Sequence, residues 1–191
     1  MARVSIIGTG NMGQAIAAVV SKGGNSVELI GSSDADKQVT GEVVVLAVPY
    51  PAVADVLATR GESLAGKVVV DITNPLDFAT FDSLTVPADS SAAAEIAAAL
   101  PQSRVLKAFN TTFAGTLAAG VVGPLPTTVL IAGDDADAKA LLAGIVTAGG
   151  LRAVDAGSLR RARELEAVGF LQLTLAAGEK ISWTGGFGLV N

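Results

Sequence analysis

Three glycines near the start of the chain have the spacing of a phosphate-binding turn. In "VSIIGTGNMGQAIAAVV", Gly8, Gly10 and Gly13 follow an apolar run and precede an alanine-rich stretch. In a strand–turn–helix unit the first glycine permits a tight turn, the second leaves room for a pyrophosphate, and the third lets the helix pack on the sheet. The helix N-terminus then offers amides and a positive dipole end to the phosphates. The alternative is a tight turn that binds nothing.

The end of the second predicted strand distinguishes between two nucleotides. An Asp or Glu there would hydrogen-bond the ribose 2′-hydroxyl of NAD, but "GSSDADK" places Ser32 and Ser33 at that point and Lys37 further along. Hydroxyls and a cation suit a 2′-phosphate, so the segment favours NADP over NAD. The alternative is that the two serines only cap a short turn, and Asp34 could point either way.

Three further predicted strands end in polar or turn-forming residues. These ends are "AVPYP", "DITNP" and "KAFNTT", which contain Ala47, Val48, Pro49, Asn74, Pro75, Phe109, Asn110 and Thr111. Ligands bind open α/β sheets outside the carboxyl ends of the strands, so we expect these segments to line the nicotinamide half of a cleft. For each asparagine, the alternative is a residue that only forms a turn.

The composition limits the chemistry that such a cleft can carry out. The 191 residues contain no cysteine and no histidine, which removes thiolate nucleophiles, imidazole bases and the usual zinc ligands, and we expect no metal site. Reduction of a ketone needs a proton donor such as His, or Tyr with Lys. The only tyrosine, Tyr50, has Ala54 four residues later. We therefore expect no catalytic acid or base.

Charge and hydropathy argue against large anionic or membrane partners. The net charge of -5 disfavours nucleic acid, because binding to its backbone depends on surplus Lys and Arg. The most apolar window, "LEAVGFLQLTLAAG", contains Glu166 and Gln172 and is shorter than the roughly 20 residues that span a bilayer. No export signal is recognisable, so we expect a cytoplasmic protein.

The elements that position these residues alternate along the chain. Apolar, β-branched runs predict seven strands: "RVSIIG", "SVELIG", "EVVVLAV", "KVVVDI", "SRVLKAF", "TTVLIAG" and "LRAVDAG". Helices are predicted at 12–22, 51–59, 91–100, 135–148 and about 158–177. Because several strands are apolar on both faces, we predict an α/β, Rossmann-type doubly wound, mainly parallel sheet with a small C-terminal helical appendage. Only "SSDADKQVTG" joins the second and third strands, so a helix there should be short or absent.

The last predicted helix is apolar over more than one face. We expect a dinucleotide-binding domain at 1–157 and a C-terminal helix and glycine-rich tail at 158–191 that pack on it. A helix that is apolar almost all round is normally buried, and a two-fold homodimer interface is one way to bury it. The alternative is that the tail covers the helix, whose apolar residues are Leu165, Val168, Phe170, Leu171, Leu173 and Leu175.

In chain order these segments resemble the F420-dependent NADP oxidoreductases, which pass hydride between NADP and the 8-hydroxy-5-deazaflavin coenzyme F420. The matching stretches include "IIGTGNMG", "IGSSDADK", "VVVDITNP" and "VLKAFNTTFAGTLA". The resemblance implies that Thr9, Ser32 and Lys37 help to hold the NADP phosphates. It also implies that four residues lie near the nicotinamide and deazaflavin rings: Asn74, Pro75, Phe109 and Asn110. The family commonly has an arginine where this chain has Ser33, and the segment after Lys37 is shortened here.

The resemblance also accounts for the missing acid. Hydride exchange between deazaflavin C5 and nicotinamide C4 adds no proton to the reacting carbon, so positioning the two rings can supply most of the catalysis. The predicted ring-positioning residues are Asn74, Phe109, Asn110 and Thr111. The predicted cofactor-binding residues are Gly8, Thr9, Gly10, Asn11, Met12, Gly13, Ser32, Ser33, Lys37, Ala47, Val48, Pro49, Asn74 and Pro75.

Three arginines on the last helix could bind the anionic tail of the coenzyme. They are Arg160, Arg161 and Arg163, and the alternative is a solvated face that pairs with Glu164 and Glu166. Two other functions stay open from the residues alone. One is an NADPH-dependent reductase of a flavin, an imine or another small acceptor, and the other is a non-catalytic NADP-binding or redox-sensing module.

Overall fold

A seven-stranded sheet lies at the centre of the computed structural model, which describes residues 1–34 and 36–190. Its strands are β1 Arg3–Ile7, β2 Ser26–Ile30, β3 Val43–Leu46, β4 Val68–Asp71, β5 Arg104–Lys107, β8 Thr128–Gly133 and β9 Arg152–Gly157. A two-stranded hairpin, β6 Val121–Val122 and β7 Leu125–Pro126, precedes β8. The order across the sheet is β2-β1-β3-β4-β5-β8-β9, and only β5 and β8 pair antiparallel. The predicted mainly parallel, doubly wound sheet is confirmed.

The helices cover both faces of this sheet. They are α1 Asn11–Lys22, α2 Val53–Arg60, α3 Ala92–Ala99, α4 Ala114–Ala119, α5 Ala136–Ala148 and α6 Ala162–Ala177. Short 3₁₀ turns precede α2 and α6, at Tyr50–Ala52 and Leu159–Arg161. The side chain of Ser91 accepts a hydrogen bond from the N–H of Ala94 at the start of α3, as an N-cap serine does. Helix α4 and the β6–β7 hairpin were not predicted, because elements of six and two residues are too short to set up a periodic pattern.

The connection from β2 to β3 is short, as expected. Between Ile30 and Val43 the described residues form turns and no helix. The chain crosses from β2 at the edge of the sheet, past β1, to β3. The strand order therefore reverses between β1 and β3, and ligands of open α/β sheets bind in the crevice at such a point.

Alternate side chains of the central strands point to opposite apolar layers. In β3, Val43 and Val45 belong to the cluster that contains Ile16 of α1, whereas Val44 and Leu46 belong to the cluster that contains Val53 of α2. This is the burial on both faces that a parallel sheet covered by helices requires.

The C-terminal tail packs on the rest of the chain. The rings of Phe113 and Trp183 lie with their centroids 5.1 Å apart, and the guanidinium of Arg152 donates to the carbonyl of Leu189 at 3.2 Å. The tail leaves the outer side of α6 open, since Val168 and Leu171 are 37% and 51% exposed. The division at residue 157 stays a prediction, and Asn191 lies outside the described residues. Within the described chain, no helix combines the length and hydropathy needed to cross a membrane.

Candidate active site

The glycine turn joins β1 to α1 at the point where the strand order reverses. Gly8 has a φ of 121°, and a Cβ built on it would lie 2.0 Å from the carbonyl oxygen of Ala47. A Cβ on Gly13 would lie 2.3 Å from the carbonyl oxygen of Gly8, whereas one on Gly10 would meet nothing within 4 Å. Gly8 and Gly13 therefore permit close packing, and Gly10 borders open space at the start of α1. This geometry fits a bound pyrophosphate.

A cavity of about 350 Å³ extends from this turn toward the end of β2. We call it the adenosine-side cavity. It contains three of the predicted cofactor residues, Gly8, Ser32 and Val48. Its full wall is Ile7, Gly8, Ile30, Gly31, Ser32, Val48, Ala52, Asp55, Val56, Thr59 and Arg60. The apolar part of this wall suits the faces of a purine ring.

Residues of the loop after β2 lie beside this cavity in different ways. A Cβ built on Gly31 would lie 3.5 Å from Thr9 Cγ2 and 3.9 Å from Ser33 Oγ. The predicted side chains of Thr9 and Ser33 therefore both lie close to Gly31. Asp34 points back into the loop, where its Oδ2 accepts from the N–H of Gly31 at 2.8 Å. Lys37 is absent from the described wall, and its ammonium donates to the carbonyl of Leu29 at 2.7 Å.

A second cavity, of about 440 Å³, lies at the carboxyl ends of β4 and β5. We call it the ring-side cavity. Four predicted residues, Asn11, Met12, Asn74 and Asn110, meet in its wall, so it joins the glycine turn to the strand ends. The wall comprises Asn11, Met12, Ile72, Asn74, Asn110, Thr112, Phe113, Ala114, Gly115, Leu173, Trp183 and Thr184. None of these side chains titrates near neutral pH.

Asn74 and Asn110 bind each other at the base of the ring-side cavity. Asn74 Nδ2 donates to the carbonyl of Asn110 at 3.0 Å, and Asn110 Nδ2 donates to Asn74 Oδ1 at 3.1 Å and to the carbonyl of Leu165 at 2.8 Å. A Cβ on Gly169 would lie 2.3 Å from Asn74 Oδ1, so α6 approaches the pair through a glycine. Within the described chain Asn110 Oδ1 is buried without a hydrogen-bond partner. A ligand N–H group could satisfy it.

Phe109 and Thr111 lie behind this site rather than in its wall. Phe109 is 2% exposed and packs in the hydrophobic core. The aromatic side chains in the wall are Phe113 and Trp183, and the role of Phe109 in positioning the nicotinamide and deazaflavin rings stays a prediction. The φ of Phe109 is 63°, a left-handed conformation that costs a bulky residue energy and is found where a site requires it. It turns the chain after β5 toward Asn110.

The remaining predicted residues, Ala47, Pro49 and Pro75, form the turns after β3 and β4. The N–H of Ala47 donates to the carbonyl of Ile7 at 2.8 Å, which brings the end of β3 against the glycine turn. Pro49 precedes the 3₁₀ turn at Tyr50–Ala52. Pro75 follows Asn74, and its carbonyl accepts from the Thr85 hydroxyl at 2.9 Å. These turns fix the strand ends that border the two cavities.

A fully buried lysine lies below the asparagine pair. The ammonium of Lys107 lies 2.7 Å from Asp71 Oδ2, 2.8 Å from Glu166 Oε1 and 2.7 Å from the carbonyl of Thr73. The carboxylate of Glu166 also accepts from the N–H of Ala92, at 2.9 Å, at the start of α3. This buried ion cluster, Asp71, Lys107 and Glu166, ties α6 to the ends of β4 and β5. Burial raises the pKa of Glu166, and the attraction of Lys107 only partly offsets that effect.

Sequence reasoning missed the buried ion cluster. The signal was available as a charged residue, Asp71 or Lys107, at the carboxyl end of each of two strands, "VVVD" and "RVLK". Glu166 does not pair with the arginines of the last helix, so that part of the alternative is wrong. Arg161 and Glu164 do approach each other, at 3.5 Å. Arg160, Arg161 and Arg163 line a further cavity of about 560 Å³ together with Ser90 and Ser91.

Comparisons with known proteins agree with this geometry. The family model described as NADP oxidoreductase, coenzyme F420-dependent, matches residues 32–75. The chain is 30% identical to the F420-dependent NADP reductase of Methanocaldococcus jannaschii over 171 residues, which cover 87% of this chain and 76% of that protein. It is 31% identical to the F420-dependent NADP reductase of Methanothermobacter marburgensis, with 91% of this chain and 92% of that protein covered.

A crystal structure from an Arthrobacter species, of a protein assigned as an F420-dependent NADP-reductase, has the same fold. Its TM-score is 0.87 at 24% identity, and the match covers 100% of both chains. By sequence, this chain belongs to the family of F420-dependent NADP reductases.

Proposed function

We propose that this protein is an oxidoreductase that transfers hydride between NADP(H) and coenzyme F420. The ring-side cavity is the observation that carries the proposal. It joins the glycine turn to the asparagine pair, and the described residues of its wall include no acid or base. When bound there, the two cofactors would supply hydride exchange between nicotinamide C4 and deazaflavin C5. The protein's part is to hold them in register and to exclude water.

The glycine turn and the start of α1 would hold the nucleotide. Gly10 leaves the open space that the pyrophosphate needs, and the first N–H groups of α1 point toward it. Ser32 lies in the wall of the adenosine-side cavity, and Thr9 and Ser33 lie close to Gly31 of that wall. Their hydroxyl groups would bind the phosphates. Asn11 and Met12 lie in the wall of the ring-side cavity, where they would border the nicotinamide end.

The asparagine pair and two aromatic side chains would orient the rings. Asn110 lies in the cavity wall and its Oδ1 is a buried acceptor without a partner among the described residues, so an amide N–H such as that of the nicotinamide carboxamide would satisfy it. Phe113 and Trp183, whose rings contact each other, provide apolar surface in the same wall. Because the asparagine side chains are fixed by each other and by α6, they would need little reorganisation when a ligand binds.

The arginines at the start of α6 would bind the anionic tail of F420. Arg160, Arg161 and Arg163 line one cavity with the hydroxyl residues Ser90 and Ser91, which suits phosphate and carboxylate groups. Asp89, Asp134 and Glu164 share that wall, so the formal charges of the three arginines and the three acids cancel. Replacing Arg160 with Met should raise the KM for F420 and leave the NADPH dissociation constant unchanged.

A homodimer and a cytoplasmic location are part of the proposal. Val168 and Leu171 present an exposed apolar strip on α6, which a second copy of the chain would bury across a two-fold axis. Gel filtration with light scattering tests this directly. A strictly monomeric protein at micromolar concentration would contradict the dimer.

The activity is tested by mixing the protein with NADPH and oxidised F420 and following the loss of the visible absorbance of the deazaflavin. We expect turnover with NADPH and much weaker turnover with NADH. Tight NADPH binding without turnover would contradict the proposal and favour a non-catalytic NADP-binding module. Turnover with a flavin or an imine, but not with F420, would favour a reductase of another acceptor.

A further inference from the structure

The loop after β2 contributes no basic side chain to the described wall of the adenosine-side cavity. Ser32 and Ser33 are exposed hydroxyl residues, and the ammonium of Lys37 lies against the carbonyl of Leu29 at the edge of the sheet. Among the described residues of the adenosine-side cavity, the basic side chain is that of Arg60, which sits in the same wall as Ser32 and Gly8. Arg60 is the last residue of α2, far from the glycine turn in sequence.

The guanidinium of Arg60 binds backbone carbonyls of the loop after β2. Its Nη1 donates to the carbonyl of Lys37 at 2.7 Å, and its Nη2 donates to the carbonyl of Asp34. The loop itself is folded into successive turns, since the N–H of Asp34 donates to the carbonyl of Gly31 at 3.1 Å and the N–H of Lys37 donates to that of Asp34 at 3.0 Å. The guanidinium thus braces a segment that has no helix in its described part.

Two properties of a guanidinium make this arrangement suitable for an anion. Its planar fork presents several donors in fixed directions, so it can bridge separate groups. Carbonyl acceptors are dipoles and leave the formal charge of the guanidinium in place. Hydrogen bonds from such a charged donor to phosphate are stronger than those from a hydroxyl. Arg60 can therefore fix the loop and attract a phosphate at its mouth.

We infer that Arg60 determines the preference of this protein for NADP over NAD. It would meet the 2′-phosphate from α2, in place of an arginine at position 33. The inference rests on the proposed use of NADP(H), and it assigns that preference to a residue outside the loop after β2. Asp55 lies in the same wall, and its carboxylate would repel the phosphate, so removal of its charge should act in the opposite direction.

Direct titration with NADPH and with NADH tests this inference without F420. We expect Arg60→Met to raise the NADPH dissociation constant about 10- to 100-fold, as loss of a charged hydrogen-bonding partner does, and to change that for NADH less than about threefold. Arg60→Lys should retain part of the preference because the charge stays. Asp55→Asn should tighten NADPH about two- to threefold.

Arg104→Met is the matched control, because Arg104 also donates to a loop carbonyl, that of Gly66, but at the opposite end of the sheet. It should leave both dissociation constants unchanged. Circular dichroism and thermal unfolding establish whether the variants fold. If Arg60→Met does not fold, Asp55→Asn still tests the effect of charge on NADPH binding.

Two results would overturn the inference. An equal loss of NADPH and NADH binding in Arg60→Met would mean that Arg60 only braces the loop. Unchanged NADPH binding in both Arg60 variants would remove it from recognition altogether. Failure of the proposed function is a separate result, since it would appear as wild-type protein that binds no NADPH or that binds it without reducing F420.

Discussion

The adenosine-side cavity and the ring-side cavity lie on either side of the glycine turn, and they are assembled from different parts of the chain. Among the described residues, the wall of the first comes from the segment between Ile7 and Arg60. The wall of the second combines Asn11 near the start of the chain with Thr184 near its end. The first is therefore built from the first third of the chain, whereas the second depends on packing between the two ends of the chain, which the buried ion cluster helps to hold.

The sharpest test of this contrast is removal of the buried lysine. Lys107→Met leaves Asp71 and Glu166 buried without a counter-ion, so we expect the free energy of unfolding to fall by about 3–5 kcal/mol. Urea unfolding measures the loss. Lys139→Met is the control, because the Lys139–Asp155 pair is partly exposed and should contribute less than about 1 kcal/mol. Similar small losses for both variants would mean that the cluster does not secure the ring-side cavity.

Substitutions in the glycine turn separate the effect on folding stability from the effect on NADPH binding. Gly13→Ala places a Cβ 2.3 Å from a backbone oxygen, so we expect a loss of about 1–3 kcal/mol in unfolding free energy. Gly10→Val meets open space, so its stability should change by less than about 1 kcal/mol. Its side chain would instead occupy the approach of the pyrophosphate, and the NADPH dissociation constant should rise at least about tenfold. A Gly10→Val protein that binds NADPH normally would disprove this role.

Substitutions in the two walls should affect different cofactors. Trp183→Ala removes an aromatic surface of the ring-side cavity, so we expect the KM for F420 to rise about three- to tenfold while the NADPH dissociation constant changes less than twofold. Val56→Ala in the adenosine-side wall should raise the NADPH dissociation constant and leave the KM for F420 nearly unchanged. Steady-state kinetics and NADPH titration measure both constants. Equal effects on both cofactors in either variant would show that the two cavities do not act separately.

Two glutamates should give the two regions opposite pH dependence. Burial raises the pKa of Glu166, so its contribution to stability is present below the unfolded-state pKa and is lost as the pH rises through the folded-state pKa. The pKa of Glu28 on β2 is lowered, because hydrogen bonds from Ser5 and Thr40 outweigh burial, so its contribution is lost as the pH falls.

Urea unfolding between pH 4 and pH 8 compares the wild type with Glu166→Gln and Glu28→Gln. The advantage of the wild type over Glu166→Gln should grow as the pH falls, and its advantage over Glu28→Gln should shrink. If the stability difference from the wild type changed with pH in the same direction for both variants, the opposite pKa shifts of Glu166 and Glu28 would be contradicted.

The sequence was sufficient to predict the sheet, the glycine turn and the strand ends that border the site. Each of these depends on residues close together in the chain, such as Gly8 and Gly13 or Asn74 and Pro75. The short link between β2 and β3 could likewise be read from its length, because a helical crossover needs about a dozen residues or more.

The rest depends on partners that are distant in sequence. Lys107 is buried against Asp71 on β4 and Glu166 on α6, and "RVLK" alone does not identify those partners. Phe109 has a left-handed backbone conformation and lies in the core, whereas Phe113, four residues later, lies in the wall of the ring-side cavity. Trp183 reaches the site through the fold of a glycine-rich tail, which has no periodic pattern.

The central claim is that the described site positions two rings and lets hydride pass directly between them. NADPH carrying deuterium at nicotinamide C4, tested separately as each epimer with oxidised F420 in ordinary water, measures this step. We predict that one epimer delivers its deuterium to C5 of the reduced deazaflavin, with a primary isotope effect in single turnover. Reduced F420 that carries only solvent hydrogen at C5 with both epimers would contradict the claim.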